Sequence, residues 1–319
     1  MRIATLCSHS ALQIFLGARE EGFESVGVCP KERVRFYLSF PRAKPDHLIE
    51  IKEWGEIENR EIAEKLNQLD SVLIPHGTLI KVLGERVEKL EVPIFGSREA
   101  LVWENNRKKQ REWMEEAGLK FPREGKELRD DDLVFVKFHG ARGGAGYFIS
   151  RKKDVKGVEG EIQEFIPGVR YYFHFFFSRV RNRLEILGID KRIETIDEIY
   201  RALGADIEEF RDYTVSGNLP LVLRESLLVE VMEMGERVVE AAEKFGGLWG
   251  PFCLETVYSP SRGFVVFEIS ARIVAGTTAF IPSPPYSRFY FNEEMYMGRR
   301  IARELKEAER RRMLEKVLS

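Results

Sequence analysis

The spacing of apolar residues alternates between two periods along this chain. Ile3 to Leu6 is a short apolar run, followed by Cys7-Ser8-His9-Ser10. Apolar positions then recur at helical spacing from Ala11 to Glu21, stop at Gly22, and give way to a second apolar run from Ser25 to Cys29. Strand, helix and strand in that order predict a βαβ opening on a parallel sheet. Glu56 to Leu69 has the helical period, and Ser71 to Pro75 reads as a buried strand followed by a polar loop, His76-Gly77-Thr78. Val92 to Phe95 is another short strand, and a helix is expected from about Glu99 to Ala117, ended by Gly118.

Beyond Leu133 the strand period dominates. Leu133 to Phe138 is apolar except for Lys137, and Tyr147 to Ile149 resumes the run after a glycine-rich stretch. Ile162 to Ile166 is a strand stopped by Pro167-Gly168. Tyr171 to Phe177 alternates, with Tyr171, Phe173, Phe175 and Phe177 on one face and His174 on the other. Leu184 to Ile189 is a further strand with the polar Asp190 to Glu194 after it, and Tyr213 to Pro220 is a strand and turn. Leu227 to Phe245 predicts a long amphipathic helix. Phe252 to Val257 and Phe264 to Ser270 form a hairpin about Ser259 to Gly263, and Arg299 to Ser319 is a charged helix. The class is α/β (α+β).

With 44% hydrophobic and 32% charged residues in 319, the composition is that of a soluble globular protein. Fifty basic against 52 acidic residues leave a net charge of −2, which gives no electrostatic footprint for nucleic acid. No run approaches the roughly 20 apolar residues of a membrane span, and the first residues lack the apolar core of a signal peptide. Cys7, Cys29 and Cys253 form no metal or disulfide spacing, so a reducing cytoplasm is expected.

Candidate chemistry sits in three places. Between Lys137 and Tyr147, four glycines in seven residues (Gly140 to Gly146) allow the backbone to approach a ligand, and exposed N–H groups in such a turn hold phosphate. The stretch lacks the Gly-Lys-Ser/Thr of a P-loop, and a strand rather than a helix follows it, so it is no Rossmann fingerprint. A hairpin over nucleotide phosphates is the functional reading; an ordinary hairpin with a solvent lysine is the alternative. Second, the loops after the strands at Leu6 and Pro75 sit where open parallel sheets bind ligands, which brings His9 and Thr78 forward, while Ser8 or Ser10 also suits a helix cap. Third, Glu255 and Glu268 are single carboxylates in apolar paired strands. Either a divalent cation, usually Mg²⁺ beside ATP, neutralises them or an arginine such as Arg272 does. The basic run Arg107, Lys108, Lys109 and Arg111 is a solvated helix face from which one residue reaches a phosphate.

In order and spacing these pieces resemble the ATP-grasp superfamily. A lysine on a strand precedes a glycine-rich hairpin, a hinge strand follows (Glu164-Phe165-Ile166), and paired-strand glutamates end in a Glu-x-Asn-x-Arg pattern, here Glu268-Ile269-Ser270-Ala271-Arg272. Over nearly its whole length the chain is also similar to the archaeal PurP family of formate-dependent 5-formaminoimidazole-4-carboxamide ribonucleotide synthetases. Ser8 to Leu12, the Lys137 loop, Gly217 to Ser226, Gly247 to Glu255 and Phe267 to Thr277 carry that likeness.

The resemblance implies an ATP-grasp fold. It has an N-terminal βαβ, substrate-binding subdomain at 1–97, a central subdomain with the nucleotide-clamping hairpin at 98–166, and a C-terminal subdomain with the metal-binding antiparallel sheet at 167–319. It implies a ligase that converts ATP, formate and 5-aminoimidazole-4-carboxamide ribonucleotide (AICAR) into formyl-AICAR, ADP and phosphate through formyl phosphate, in purine (IMP) biosynthesis. Mg²⁺ or Mn²⁺ would be held by Glu255 and Glu268. ATP would meet Lys137, the backbone of Gly143, Gly144 and Gly146, Arg107 (where relatives carry lysine), the Glu164 carbonyl, the Ile166 N–H and Glu194. AICAR would meet His9, Thr78 and Asn218. Arg272 and Lys137 would act on the transferring group. Ser270 stands where the superfamily has asparagine. A cytoplasmic homo-oligomer is implied, with small-molecule substrates and neither nucleic acid nor membrane as partner. Another carboxylate–amine ligase and a non-catalytic nucleotide-binding regulatory paralog are the rival readings.

Overall fold

The computed structural model describes residues 1–138, 147–155, 157, 160–194 and 215–319. Gly143, Gly144, Gly146 and Tyr213-Thr214 lie outside the described residues, as do the side chains of Lys137 and Glu194.

The chain opens as β1 (Arg2–Leu6), α1 (Ala11–Glu21), β2 (Ser25–Pro30), α2 (Val34–Leu38), β3 (His47–Ile51), α3 (Arg60–Gln68), β4 (Ser71–Leu73) and α4 (Gly77–Leu83). The four strands are parallel in the order β3-β2-β1-β4. The chain leaves β1 toward one edge and returns to its other side at β4, so the crevice outside their carboxyl ends is a topological switch point. The expected βαβ opening is present, and α1 ends as read: Gly22 adopts φ 88° and its N–H closes on Ala18 and Arg19.

Three local readings change. The helix expected from Glu56 begins at Arg60, after a 3₁₀ turn at Trp54–Glu58. His76-Gly77-Thr78 is not a loop: it opens α4, because the His76 imidazole caps that helix by accepting from the Thr78 N–H. Val92 to Phe95 forms isolated bridges rather than a strand, Ile94 to Leu73 and Phe95 to Leu318.

A fourth change shapes the site. The single helix expected from Glu99 to Ala117 is two, α5 (Arg98–Asn105) and α6 (Arg107–Glu116). Asn106 between them has φ −101° and ψ 108°, and its side chain accepts from the Lys109 N–H at 3.1 Å. An asparagine side chain that satisfies an orphan N–H competes with the continuous helix, which periodicity does not register.

β5 (Leu133–Phe138), β6 (Tyr147–Arg151) and β7 (Gly160–Glu164) form an antiparallel sheet in the order β6-β5-β7. The last part contains β8 (Val169–Ser178), β9 (Arg183–Glu194), β10 (Val215–Leu221), α7 (Glu225–Ala242), β11 (Gly250–Ser259), β12 (Gly263–Ser270) and α8 (Met297–Arg311). Its sheet is antiparallel in the order β10-β9-β8-β11-β12. The polar stretch Asp190 to Glu194, read as following a strand, continues β9 and pairs with β10. The expected terminal helix stops at Arg311, where Arg312 turns to φ 56°, and the tail exchanges two backbone bonds between Ser319 and Ile94.

Directly opposed residues of antiparallel strands share a face, so this sheet sorts its side chains cleanly. Phe173, Ile189, Leu254 and Ile269 line one face and pack with Val231, Met234 and Val238 of α7 into the main core. The other face carries a polar stripe across all five strands: Asn218, then Arg192 and Asp190, then Tyr172, Glu255 and Glu268. α1 and α8 tie the first and last parts together at close range. A Cβ on Gly17 would lie 2.4 Å from the Arg299 nitrogen, so only glycine permits that crossing. Among the described residues no helix is long and apolar enough to cross a membrane.

Candidate active site

A cleft of about 570 Å³ lies where α4, the α5–α6 junction, β7 and β12 meet, and Lys81, Arg107, Lys108, Glu161, Glu268 and Arg272 line it. Three residues singled out in the sequence, Arg107, Glu268 and Arg272, are therefore brought together. The break at Asn106 is what delivers Arg107 to the rim, where it pairs with Glu161 of β7.

Glu255 and Glu268 face each other as direct partners on β11 and β12. Their surroundings differ. Both oxygens of Glu255 accept from Arg192, at 2.7 and 3.0 Å, and Ser270 adds a bond at 3.3 Å. The Arg192 guanidinium lies 3.7 Å from the Tyr172 ring centre, held from both sides. Arg272, the alternative partner read from sequence, does not fill that role. Glu268 has no hydrogen-bond or ion-pair partner among the described residues. Desolvation first, and then the adjacent Glu255, push its carboxyl up to about 7, against the pull of Arg272 and Arg192.

Arg272 instead is held by Glu104 of α5. Its Nε donates to Glu104 Oε1 at 3.0 Å, and the Ala271 N–H donates to Oε2 at 2.7 Å. Desolvation raises the pKa of Glu104, opposed by Arg272 and the Ala271 N–H. Nη1 donates to the Ile273 carbonyl at 3.5 Å, and the guanidinium lines the cleft against Gly77, where a Cβ would sit 3.6 Å from the guanidinium carbon.

The crevice between β1 and β4 is bridged by hydroxyls: Thr78 Oγ1 donates to Ser8 Oγ at 2.7 Å. Neither Ser8 nor Ser10 caps α1 with its side chain; Ser10 occupies the cap position at φ 61° without a side-chain bond. His76, fully buried, accepts from Thr78 through Nδ1, so Nε2 carries the proton that it gives to the Leu6 carbonyl at 2.9 Å. Burial holds that imidazole neutral, pushed down to about 3. His9 is exposed and stands edge-on to His76 with ring centres 6.3 Å apart. Partial desolvation, then Arg272, Lys81 and Arg33, lower its pKa.

Asn218 lies at the far end of the polar stripe. Its Nδ2 donates to Asp190 at 2.7 Å, and His174 donates to the other oxygen of Asp190 at 2.5 Å. Glu164 turns its side chain away into an ion-pair cluster with Arg123 and Arg262, which holds its carboxyl down at about 2 against desolvation. Ile166 is buried with Val257 and Val265, which fixes the backbone between the two antiparallel sheets.

Glu104, Arg192 and Asp190 were not singled out in the sequence. Glu104 reads as one more acid in an amphipathic helix. Asp190 and Arg192 fall in a charged run, and only carrying the strand period through it places both on one face with the glutamates.

Residues 3–125 match a protein family of unknown function (DUF1246), and residues 147–319 match a domain of unknown function (DUF1297). The 5-formaminoimidazole-4-carboxamide-1-(beta)-D-ribofuranosyl 5'-monophosphate synthetase of Pyrococcus horikoshii is 46% identical over 344 residues, covering all of both chains. The crystal structure of an IMP biosynthesis protein PurP from Thermococcus kodakaraensis superposes with a TM-score of 0.82 and 34% identity, over 99% of this chain and all of that one. An ADP complex of an N5-carboxyaminoimidazole ribonucleotide synthetase, purK, matches 86% of this chain and 71% of its own with a TM-score of 0.60 and 14% identity, a likeness of fold alone. The architecture is the ATP-grasp fold.

Proposed function

We infer the reaction from one premise: the chain belongs to the family of 5-formaminoimidazole-4-carboxamide ribonucleotide synthetases. It is an ATP-dependent ligase that joins formate to the amine of AICAR, giving formyl-AICAR, ADP and phosphate. In the first step a formate oxygen attacks the γ-phosphorus of ATP and the bond to ADP breaks, leaving formyl phosphate. In the second the AICAR amine attacks the formyl carbon, phosphate leaves, and the nitrogen loses a proton.

The observation that carries this reading is Glu268, a half-buried carboxylate that lines the cleft with Lys81, Lys108 and Arg272 and has no partner of its own among the described residues. Such a group is costly unless a cation joins it. Glu255 and Glu268 would hold Mg²⁺ (or Mn²⁺). No group of three or more metal-ligating side chains occurs among the described residues, so phosphate oxygens and water would complete the shell, as suits Mg²⁺. When bound, the ion neutralises phosphate charge. Arg272, aimed by Glu104, and Lys137 supply positive charge to the transferring oxygens. Arg107, the Gly143, Gly144 and Gly146 backbone, the Glu164 carbonyl, the Ile166 N–H and Glu194 take the nucleotide. His9, Thr78 and Asn218 take the ribonucleotide.

Calorimetric titration with ATP and with AICAR tests the assignment. The wild type binds both. His9→Ala keeps ATP affinity within about twofold, under ~0.5 kcal/mol. It loses at least about tenfold in AICAR affinity, ~1.4 kcal/mol or more, the size of a polar contact to a ligand. Equal AICAR binding by both proteins removes His9 from the site. No AICAR binding by the wild type, with or without ATP, defeats the ligase reading.

A further inference from the structure

A carboxylate only accepts hydrogen bonds, and Asp190 accepts two, from His174 Nε2 and Asn218 Nδ2. Both donor ends are therefore fixed by chemistry alone. The imidazole proton is on Nε2, and the Asn218 carboxamide turns its NH₂ inward. Its Oδ1 is the end left free, and no described residue donates to it.

The arrangement is rigid. Asp190 is fully buried, and His174 Nδ1 is buried with no hydrogen-bond partner among the described residues. A Cβ on Gly276 would fall 2.5 Å from Asp190 Oδ1, so the turn Ala275–Phe280 sits directly on the carboxylate. Burial alone would raise the Asp190 pKa, but the bonds from His174 and Asn218 outweigh it and hold it below the ordinary value. The same turn is also held by Gln13 of α1, which donates to Thr277 at 2.8 Å and Thr278 at 2.9 Å.

We propose that Asp190 positions Asn218 with its carbonyl oxygen toward the ribonucleotide, so that Asn218 selects the uncharged carboxamide of AICAR over a carboxylate in its place. This rests on the reading that Asn218 contacts the ribonucleotide. Asn218 lies three strands from Glu255, roughly 14 Å at the usual strand spacing. The amine must face the transferring formyl group beside the glutamates; the donors that remain on the ribonucleotide are the carboxamide N–H and the ribose hydroxyls, and of these Asn218 receives the carboxamide N–H. A carboxylate there would set two acceptors against each other, an unpaired contact that a polar site rejects.

The test titrates the full chain with AICAR and with the analogue whose carboxamide is a carboxylate. The wild type is expected to bind AICAR at least about tenfold more tightly than the analogue. Asp190→Asn removes the acceptor-only partner, so the Asn218 amide can turn round and offer its NH₂. The preference should fall to within about threefold. Asn218→Ser, whose hydroxyl both donates and accepts, lowers the preference in the same way without disturbing the buried pair, and it decides the matter if Asp190→Asn fails to fold. A preference retained in Asn218→Ser, or in folded Asp190→Asn, overturns the proposal, as does equal binding of the two compounds by the wild type. Binding of neither by the wild type removes the ligase reading and this inference together.

Discussion

Glu268→Gln is expected to lower kcat at least about a hundredfold, the several kcal/mol that a metal supplies in charge stabilisation, and yet to stabilise the ligand-free protein. The two effects have one cause. Glu268 sits desolvated beside Glu255 and without a partner among the described residues, so its carboxyl, ordinarily near 4.5, is pushed up to about 7. Between those values the folded protein keeps a proton that the unfolded chain releases. The unfolded state binds fewer protons there, so stability falls as pH rises through the window. The variant has no such group. Its melting temperature should exceed the wild type's at pH 8 and converge on it toward pH 4.5, measured without metal. Mg²⁺ should raise the melting temperature of the wild type above pH 7 and not that of the variant. A gap between the two proteins that does not change with pH contradicts the account. Glu255→Gln behaves oppositely in the fold, because Arg192 donates to both of its oxygens. It should lose activity and also about 1–3 kcal/mol of stability, since a half-buried guanidinium is left half-paired.

Arg272→Ala should cost both catalysis and stability. The guanidinium carries positive charge into the cleft while its Nε is spent on Glu104. Losing it from a phosphoryl-transfer site is worth about 10³-fold in kcat/KM. The Glu104 side chain is 5% exposed, so its carboxylate would then keep only the Ala271 N–H and destabilise the fold by about 3 kcal/mol. Arg272→Lys should recover little, because a lysine has no Nε–H for Glu104 to hold in place. Adding Glu104→Gln to an Arg272→Met change should restore the urea midpoint without restoring turnover. Turnover near wild type in Arg272→Ala would remove the residue from the chemistry, and an unchanged urea midpoint would remove the buried pair from the stability argument.

The parts of this molecule with a clean period were legible from its residues. The apolar run that carries Lys137, the βαβ opening whose helix ends at Gly22 and the paired strands bearing Glu255 and Glu268 are local patterns, and each stands where the pattern put it. What was not legible depends on side chains that compete with the backbone or meet across long sequence separations. Asn106 and His76 each break or begin a helix by capping it, and neither changes the hydrophobic period. Asp190 and Arg192 look like connector residues until β10 pairs with them, and the partner of Glu255 is Arg192, 63 residues away, rather than the nearby Arg272. The crossing of α1 and α8 turns on Gly17 and Gly298, which have no signal of their own in either helix.

The most direct test of the ligase assignment follows oxygen. With ATP, AICAR and ¹⁸O-labelled formate, the account predicts ADP, phosphate and formyl-AICAR in equal amounts, with one formate oxygen in each phosphate, no ADP when formate is withheld, and no sustained ADP release when AICAR is withheld. The label reaches phosphate because the oxygen that attacks the γ-phosphorus leaves with it when the amine takes the formyl carbon. ADP release that ignores AICAR, formylated product with unlabelled phosphate, or ATP bound without turnover in the presence of both substrates would each contradict it.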